Sequence, residues 1–202
     1  MRRTIVLLAI IALTVLVASG VALAVTKIGG PGPDHLKGTN GADNLIGQGG
    51  NDTLLALAGN DDLIGGPGKD VVVVGKSCCE ESDFSGGNKN LLGGLGNDAV
   101  VGGKGSDNVL GSEGNDLVSD GPNREFSTDK LSAGGGTDVV GVFKDPAFKD
   151  IVTCAGGFDR VFADKKDLVA PDCEKVADTP SELAQLANSI PESFFEGLPP
   201  GF

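Results

Sequence analysis

Aliphatic side chains recur at every ninth position over most of this chain, separated by glycine-rich polar stretches. The repeating unit has the form Gly-Gly-x-Gly-x-Asp-x-Val/Leu-x, and its clearest copies are residues 93–101 and 102–110. One aliphatic residue in a short non-glycine stretch predicts a very short β-strand with a single side chain pointing inward. Because one unit cannot bury that side chain alone, the pattern predicts the stacked turns of a solenoid.

Alignment of the units on their aspartate, taken as position 6, fixes the register of twelve units. Position 6 is occupied in chain order by Asp43, Asp52, Asp61, Asp70, Lys89, Asp98, Asp107, Asp116, Asp129, Asp138, Asp150 and Asp159. Position 8 is occupied by Leu45, Leu54, Leu63, Val72, Leu91, Val100, Val109, Val118, Leu131, Val140, Val152 and Val161. Two units make one 18-residue turn, so alternate units lie on opposite edges of a flattened solenoid.

The two edges differ in sequence. The name even edge is used for the turns that contain Asp52, Asp70, Asp98, Asp116, Asp138 and Asp159. The name odd edge is used for the turns that contain Asp43, Asp61, Lys89, Asp107, Asp129 and Asp150. Position 4 is glycine throughout the even edge, at Gly50, Gly68, Gly96, Gly114, Gly136 and Gly157, but Ser127 and Phe148 replace it on the odd edge. The three spacings longer than nine, which are 70 to 89, 116 to 129 and 138 to 150, all precede odd-edge turns. We therefore predict that the even edge is intact and that the odd edge is fully equipped only around Asp43 and Asp61.

A glycine turn with one aspartate, repeated in register, forms a ladder of oxygen donors suited to a hard cation. The unit resembles the nonapeptide of the hemolysin-type (repeats-in-toxin, RTX) calcium-binding family over roughly residues 38 to 162, as in a small secreted bacterial member. The resemblance implies a right-handed parallel β-roll that holds several Ca²⁺ ions between successive turns, through backbone carbonyls and aspartates 18 residues apart. The implied metal-binding residues are Asp43, Asp52, Asp61, Asp70, Asp98, Asp107, Asp116, Asp138 and Asp159, with Gly50, Gly68, Gly96 and Gly114. No ion is expected beside Lys89, whose ammonium stands where a carboxylate should.

The first 24 residues have the features of a signal peptide. Arg2 and Arg3 precede an apolar run, and Ala22-Leu23-Ala24 fits a small-x-small cleavage site, so we place the cut after Ala24. The alternative is an uncleaved membrane anchor, since residues 4–25 are long enough to span a bilayer. The chain is accordingly expected to be extracellular, or surface-anchored if it is not cleaved.

Four cysteines in a secreted chain permit three disulfide pairings. The register places Cys173 directly above Cys154 in the next turn of the even edge, and adjacent turns lie about 4.8 Å apart. We therefore predict a Cys154–Cys173 disulfide that closes the last turn. Cys78 and Cys79 remain in the longest insertion, where their state is open.

The C-terminal tail changes in character. Thr179-Pro180-Ser181-Glu182 is a helix-capping sequence, and Leu183, Leu186 and Ile190 follow at helical spacing. The predicted fold is thus all-β with a short helical tail. Its parts are a signal peptide at 1–24, a lead-in at 25–37, the calcium-binding β-roll at 38–177, and a tail at 178–202 that caps the open end of the roll or docks a partner.

Charge and composition narrow the function. The formal net charge is −12 with two arginines in the leader, so it is −14 without the leader. That acidity argues against nucleic acids and, after cleavage, against membrane surfaces as partners. No hydrolase, zinc or phosphate-loop motif is present, so we expect a non-enzymatic secreted protein that folds on binding extracellular calcium. The alternative is a cell-surface adhesion or matrix module that uses the odd-edge insertions or the tail to bind a partner the sequence does not identify.

Overall fold

A computed structural model of the protein describes residues 23–74, 87–121, 127–142 and 148–177. Within these ranges all regular structure is β-strand, and no helix there is long and apolar enough to cross a membrane. The strands are β1 (Thr26–Ile28), β2 (His35–Lys37), β3 (Asn44–Ile46), β4 (Thr53–Leu55), β5 (Asp62–Pro67), β6 (Val71–Val73), β7 (Asn90–Leu95), β8 (Ala99–Val101), β9 (Asn108–Glu113), β10 (Leu117–Ser119), β11 (Lys130–Gly136), β12 (Val139–Gly141), β13 (Ile151–Gly157), β14 (Arg160–Phe162), β15 (Leu168–Val169) and β16 (Lys175–Ala177).

The strands form two parallel sheets. The first sheet contains the odd-numbered strands in the order β1-β3-β5-β7-β9-β11-β13-β15, and the second contains the even-numbered strands from β2 to β16 in the same progression. Successive strands of the chain therefore alternate between the sheets, and each pairs with the strand one turn before and one turn after it. This arrangement is a parallel β-solenoid, as the nine-residue pattern predicts.

The register of the twelve predicted units is confirmed residue by residue. In the first sheet Leu45 pairs with Leu63, Leu63 with Leu91 and Leu91 with Val109; the second sheet continues likewise from Leu54 through Val161. All of these position-8 side chains are buried and form the core between the sheets. A slip of one residue would turn every aliphatic side chain to solvent, which is why the hydrophobic pattern fixes the pairing even across insertions.

The turns are not uniformly 18 residues long. Paired position-6 residues are 18 apart from Asp43 to Asp61, but 28 apart from Asp70 to Asp98, 22 from Asp107 to Asp129 and 17 from Asp150 to Asp167. The predicted insertions fall on segments 75–86, 122–126 and 143–147, which lie outside the described residues. Each segment stands between a strand of the second sheet and the next strand of the first, so the ladder itself continues in register.

The solenoid extends further towards the N-terminus than the sequence predicted. Residues 25–37, expected to be a lead-in, contain β1, which pairs with β3, and β2, which pairs with β4. At the other end β16 pairs with β14. The predicted signal peptide, apart from residues 23 and 24, and the predicted helical tail lie outside the described residues.

The predicted disulfide between Cys154 and Cys173 is confirmed. The two Cα atoms are 5.2 Å apart and the S–S distance is 2.03 Å. Cys154 is fully buried in the core at the start of an even-edge turn, and Cys173 packs against the core from the turn above. The bridge thus ties the last described turn to the one before it. Cys78 and Cys79 lie outside the described residues.

Candidate metal centre

Every position-6 side chain of the predicted units is buried, although nearly all of them are acidic. Asp70, Asp116, Asp138 and Asp159 have no solvent-exposed surface at all. On the even edge each aspartate uses Oδ1 to accept a hydrogen bond from the backbone N–H of the aspartate one turn earlier: Asp52 from Asp34, Asp70 from Asp52, Asp98 from Asp70, Asp116 from Asp98, Asp138 from Asp116 and Asp159 from Asp138, at 2.7 to 3.0 Å. The carboxylates are thereby held in a rigid row that runs along the solenoid axis.

The second oxygen of these carboxylates, Oδ2, has no hydrogen-bond partner in the described part of the chain and is called open below. Among the described residues, Oδ2 of Asp52, Asp70, Asp98, Asp116, Asp138 and Asp159 is buried and has no hydrogen-bond partner. These six are all of the predicted even-edge aspartates. A buried carboxylate oxygen without a partner is costly, because it has lost its hydration and gained nothing in return. The row of open oxygens is the feature that a bound cation would satisfy.

The backbone at position 2 explains why Oδ2 stays open. Gln48, Ser112 and Ala155 have φ of 80°, 96° and 73°, a left-handed conformation that is unfavourable for non-glycine residues. The corresponding glycines Gly66, Gly94 and Gly134 also have positive φ. In turns without this conformation, the position-2 N–H instead binds the carboxylate of its own unit, as Gly103 does with Asp107 Oδ2 at 2.9 Å. The strained turn therefore keeps the oxygen available.

On the odd edge, more of the carboxylate Oδ2 atoms are already hydrogen-bonded within the chain. Asp43 Oδ2 accepts hydrogen bonds from the N–H and the hydroxyl of Thr39, and Asp107 Oδ2 accepts one from Gly103. Asp129 and Asp150 make further interactions beyond their ladder hydrogen bonds. Asp61 is the odd-edge aspartate whose Oδ2 is unpartnered within the described residues. For Asp43 or Asp107 to bind an ion through Oδ2, it would first have to give up these internal hydrogen bonds.

Backbone carbonyls line the even edge beside the carboxylates. The carbonyl oxygen of Gly68 lies 1.4 Å from the place a Cβ would occupy on Gly96, and Gly96 O lies 1.6 Å from the equivalent point on Gly114. The same close approach of Gly136 O to Gly157 ends the series. Only glycine allows the turns to stack with carbonyls this close, so position 4 builds a column of carbonyl oxygens.

A second set of carboxylate and carbonyl oxygen atoms faces the position-1 residue of the even-edge units. A Cβ on Gly65 would lie 2.5 Å from Asp70 Oδ2 and 2.5 Å from the carbonyl oxygen of Gly93, which belongs to the next turn. A Cβ on Gly111 would meet Asp116 Oδ2 and Ala133 O at the same distances. In these units the open carboxylate oxygen and a carbonyl oxygen of the following turn thus border the same point above position 1. Carboxylate and carbonyl oxygens are the ligands that Ca²⁺ takes in proteins.

Burial raises the pKa of the even-edge carboxyl groups, because the charged form loses hydration. The pKa rises to about 6 for Asp98 and Asp138, about 7 for Asp70 and about 8 for Asp116. The ladder hydrogen bonds oppose the rise, whereas neighbouring aspartates add to it for Asp70, Asp116 and Asp138. The row therefore resists carrying its full negative charge unless a cation neutralises it.

Two acidic residues of the even edge were missed by the sequence analysis. Asp34 donates its N–H to Asp52 Oδ1, and residues 29–37 form a complete unit nine residues before that of Asp43. Glu174 accepts a hydrogen bond from the N–H of Asp159 through Oε2, at 2.9 Å, and occupies position 6 of the last turn. The nine-residue spacing predicts Asp34, although Pro31 and Pro33 interrupt the glycine-rich pattern of its unit. Glu174 follows a shortened unit, so the nine-residue spacing does not predict it.

The acidic side chains alone do not enclose an ion. In the described ranges no group of three or more His, Cys, Asp or Glu side chains could hold a metal. Backbone carbonyls would have to complete any coordination shell, which is what the column of position-4 glycines and the carbonyls above position 1 supply. The donor set is all oxygen, which suits a hard cation such as Ca²⁺ and not a transition metal that prefers imidazole or thiolate.

Comparison with known proteins identifies the repeat. A family model of four copies of the RTX calcium-binding nonapeptide repeat matches residues 28–63, 46–76 and 85–118. The first match includes the unit of Asp34. No curated protein matches the chain.

Proposed function

Because this chain carries RTX calcium-binding nonapeptide repeats, we propose that it is a secreted, non-catalytic calcium-binding β-roll protein that folds on binding extracellular calcium. The proposal rests above all on the unbroken row of buried, unpartnered Oδ2 atoms along the even edge. Six such oxygens in a small domain are a large uncompensated cost, since each unsatisfied buried polar group costs about 1–3 kcal/mol. Calcium supplies the missing partner.

The ions would be held between successive even-edge turns. The proposed carboxylate ligands are Asp52, Asp70, Asp98, Asp116, Asp138 and Asp159. Asp34 and Glu174 continue the hydrogen-bonded ladder at its two ends, but Asp34 Oδ2 already accepts a hydrogen bond from the Gly30 N–H. The carbonyls around Gly50, Gly68, Gly96 and Gly114 complete the shell, and Asp61 is the first candidate on the odd edge. Bound calcium supplies positive charge that neutralises neighbouring turns and cross-links them. The chain's own part is to hold the oxygens in register.

The folding role follows from charge and size. The core consists of the position-8 side chains and a few small neighbours such as Ala56 and Val74, and the apolar area it buries is small compared with the entropy of ordering the chain. The net charge of −12 opposes compaction further. Binding energy available only to the folded turns therefore becomes folding energy. An affinity of about 10⁻⁴ to 10⁻³ M, as in extracellular calcium modules, would restrict folding to the outside of the cell.

Secretion and the absence of catalysis are supported by separate features. The Cys154–Cys173 disulfide suits an oxidising compartment, and residues 1–24 have the sequence of a signal peptide. The buried aspartates of the even edge all belong to one hydrogen-bonded ladder, which arranges them along a line and does not gather them around a substrate.

We expect Asp98→Asn to remove the ions that Asp98 shares with Asp70 and Asp116, whereas Asp150→Asn should leave the number of bound ions unchanged. Asparagine keeps the Oδ1 acceptor that Asp70 and Asp129 use, so both variants retain the ladder hydrogen bond and lose the same charge. Native mass spectrometry in saturating calcium counts the ions, and calcium titrations give the affinities. Equal loss of ions in the two variants would show that the edges bind alike and would contradict the assignment.

A further inference from the structure

Lys89 is a large buried side chain in a place where the repeat expects an aspartate. Its exposed fraction is 2%, and it is the one basic residue among the buried side chains of the described ranges. Strand pairing of Asn90 with Asp62 and with Asn108 places Lys89 in the odd-edge row directly between Asp61 and Asp107. Burial of an unpaired ammonium would be prohibitive, so its surroundings must supply negative charge or acceptors.

Those surroundings are oxygen atoms of its own turn and of the two neighbouring turns. The ammonium Nζ donates a hydrogen bond to the carbonyl oxygen of Gly87, at 2.9 Å, which is the position-4 glycine of its own unit. Burial lowers the pKa of the Lys89 ammonium, and the charges of Asp107 and Asp61 oppose that shift and favour the ammonium form. A position-4 carbonyl and the carboxylates of two adjacent turns are the same kinds of ligand that the even edge offers to an ion.

We propose that the ammonium of Lys89 is a built-in counter-cation, which takes on the odd edge the place that a bound calcium ion takes on the even edge. The charge balance supports this. Asp61, whose Oδ2 lacks a hydrogen-bond partner, lies one turn below Lys89, and Asp107, already bound by Gly103, lies one turn above. One ammonium thus neutralises negative charge at two contacts between successive turns, and these contacts need no bound ion. The analogy with calcium rests on the proposed function; the neutralising role of Lys89 does not.

The consequence is a roll whose two edges respond differently to calcium. The even edge needs ions at each contact, whereas the centre of the odd edge is joined permanently. The turns of Asp61 and Lys89 lie on either side of the longest insertion, residues 75–86, which is outside the described residues. A fixed internal charge there keeps the turns on either side of the insertion together at any calcium concentration.

The test compares Lys89→Met, Lys89→Asp and a control, Lys130→Met, in the full-length chain. Methionine preserves the length and apolar stem of lysine and removes its charge, and Lys130 is an exposed lysine of the same sheet. In saturating calcium, Lys89→Met should keep the wild-type number of ions by native mass spectrometry but lose about 1 to 2 M in its urea midpoint. Lys130→Met should keep the wild-type midpoint.

Lys89→Asp should bind at least one more calcium ion than the wild type, and its urea midpoint should recover only when calcium is added. If Lys89→Met does not fold, this gain of an ion in Lys89→Asp decides the matter. An unchanged midpoint in Lys89→Met, or an unchanged ion count in Lys89→Asp, would overturn the proposal. A wild-type chain that binds no calcium would instead refute the proposed function, while a loss of stability in Lys89→Met would still establish the counter-cation.

Discussion

Gly96→Ala should destabilise the roll by about 3 kcal/mol or more, a large part of the stability of a small domain. Gly96 has φ of 132°, and a Cβ there would lie 1.4 Å from the carbonyl oxygen of Gly68. Relief of this contact requires the turns to separate, which also breaks the column of carbonyls that faces the proposed ions. Urea unfolding in saturating calcium measures the loss.

Gly49→Ala is the matched control. Gly49 stands in the same kind of even-edge turn, but the nearest atom to its Cβ would be Pro67 O at 3.8 Å, an ordinary contact. The free energy of unfolding should therefore change by less than about 0.5 kcal/mol. If Gly96→Ala is tolerated as well as Gly49→Ala, the close stacking of turns is wrong.

Acidification from about pH 8 to about pH 5 should lower the calcium concentration needed for folding, because protons neutralise the buried carboxylates in place of the ion while the unfolded chain stays ionised. Burial raises the pKa of Asp70 to about 7 and that of Asp116 to about 8. These groups bind more protons in the ion-free folded state than in the unfolded chain. Without calcium, their stabilising contribution is therefore present at acid pH and is lost as the pH rises to about 8. In saturating calcium this dependence should disappear, since the ion-bound roll and the unfolded chain are then both ionised over this pH range.

Calcium titrations followed by circular dichroism at several pH values measure this linkage. Asp116→Asn, which removes the carboxyl group with its pKa raised to about 8, should flatten the dependence above neutral pH. Asp62→Asn removes an exposed carboxyl group outside the ladder and should leave it unchanged. A chelator-treated chain that is no more folded at about pH 5 than at about pH 8 would contradict the raised pKa values of the buried aspartates.

Most of the strand pairing among the described residues could be predicted from the sequence, because one constraint is repeated many times. Each unit has an aliphatic residue at position 8, and burying Leu63 fixes the pairing partners of its whole strand. The same constraint acts across the insertions, so Leu63 and Leu91 pair although ten more residues than usual separate Asp70 from Asp98. The disulfide was predicted correctly, although Cys173 stands just before the position-6 residue Glu174 and not directly above Cys154 in register.

The chemistry of the two edges was predictable only in part. Glycine at position 4 and the position of Lys89 indicated that the two edges differ. The sequence does not show, however, whether a carboxylate oxygen lacks a hydrogen-bond partner or is hydrogen-bonded by the backbone of its own turn. Gly94 and Gly103 both stand at position 2, yet Gly94 has φ of 129° and leaves Asp98 Oδ2 open, whereas Gly103 binds Asp107. The difference depends on how neighbouring turns stack, which a nine-residue pattern does not encode.

The central claim, that calcium bound to the stacked even-edge turns drives folding, is tested most directly by far-ultraviolet circular dichroism during a calcium titration that starts from a chelator-treated sample. The account predicts little β-sheet signal in chelator and a cooperative gain of signal at about 10⁻⁴ to 10⁻³ M free calcium. Magnesium at the same concentration should not substitute, since it is smaller and gives up its water reluctantly. A full β-sheet spectrum that persists in chelator and does not change when calcium is added would contradict the account.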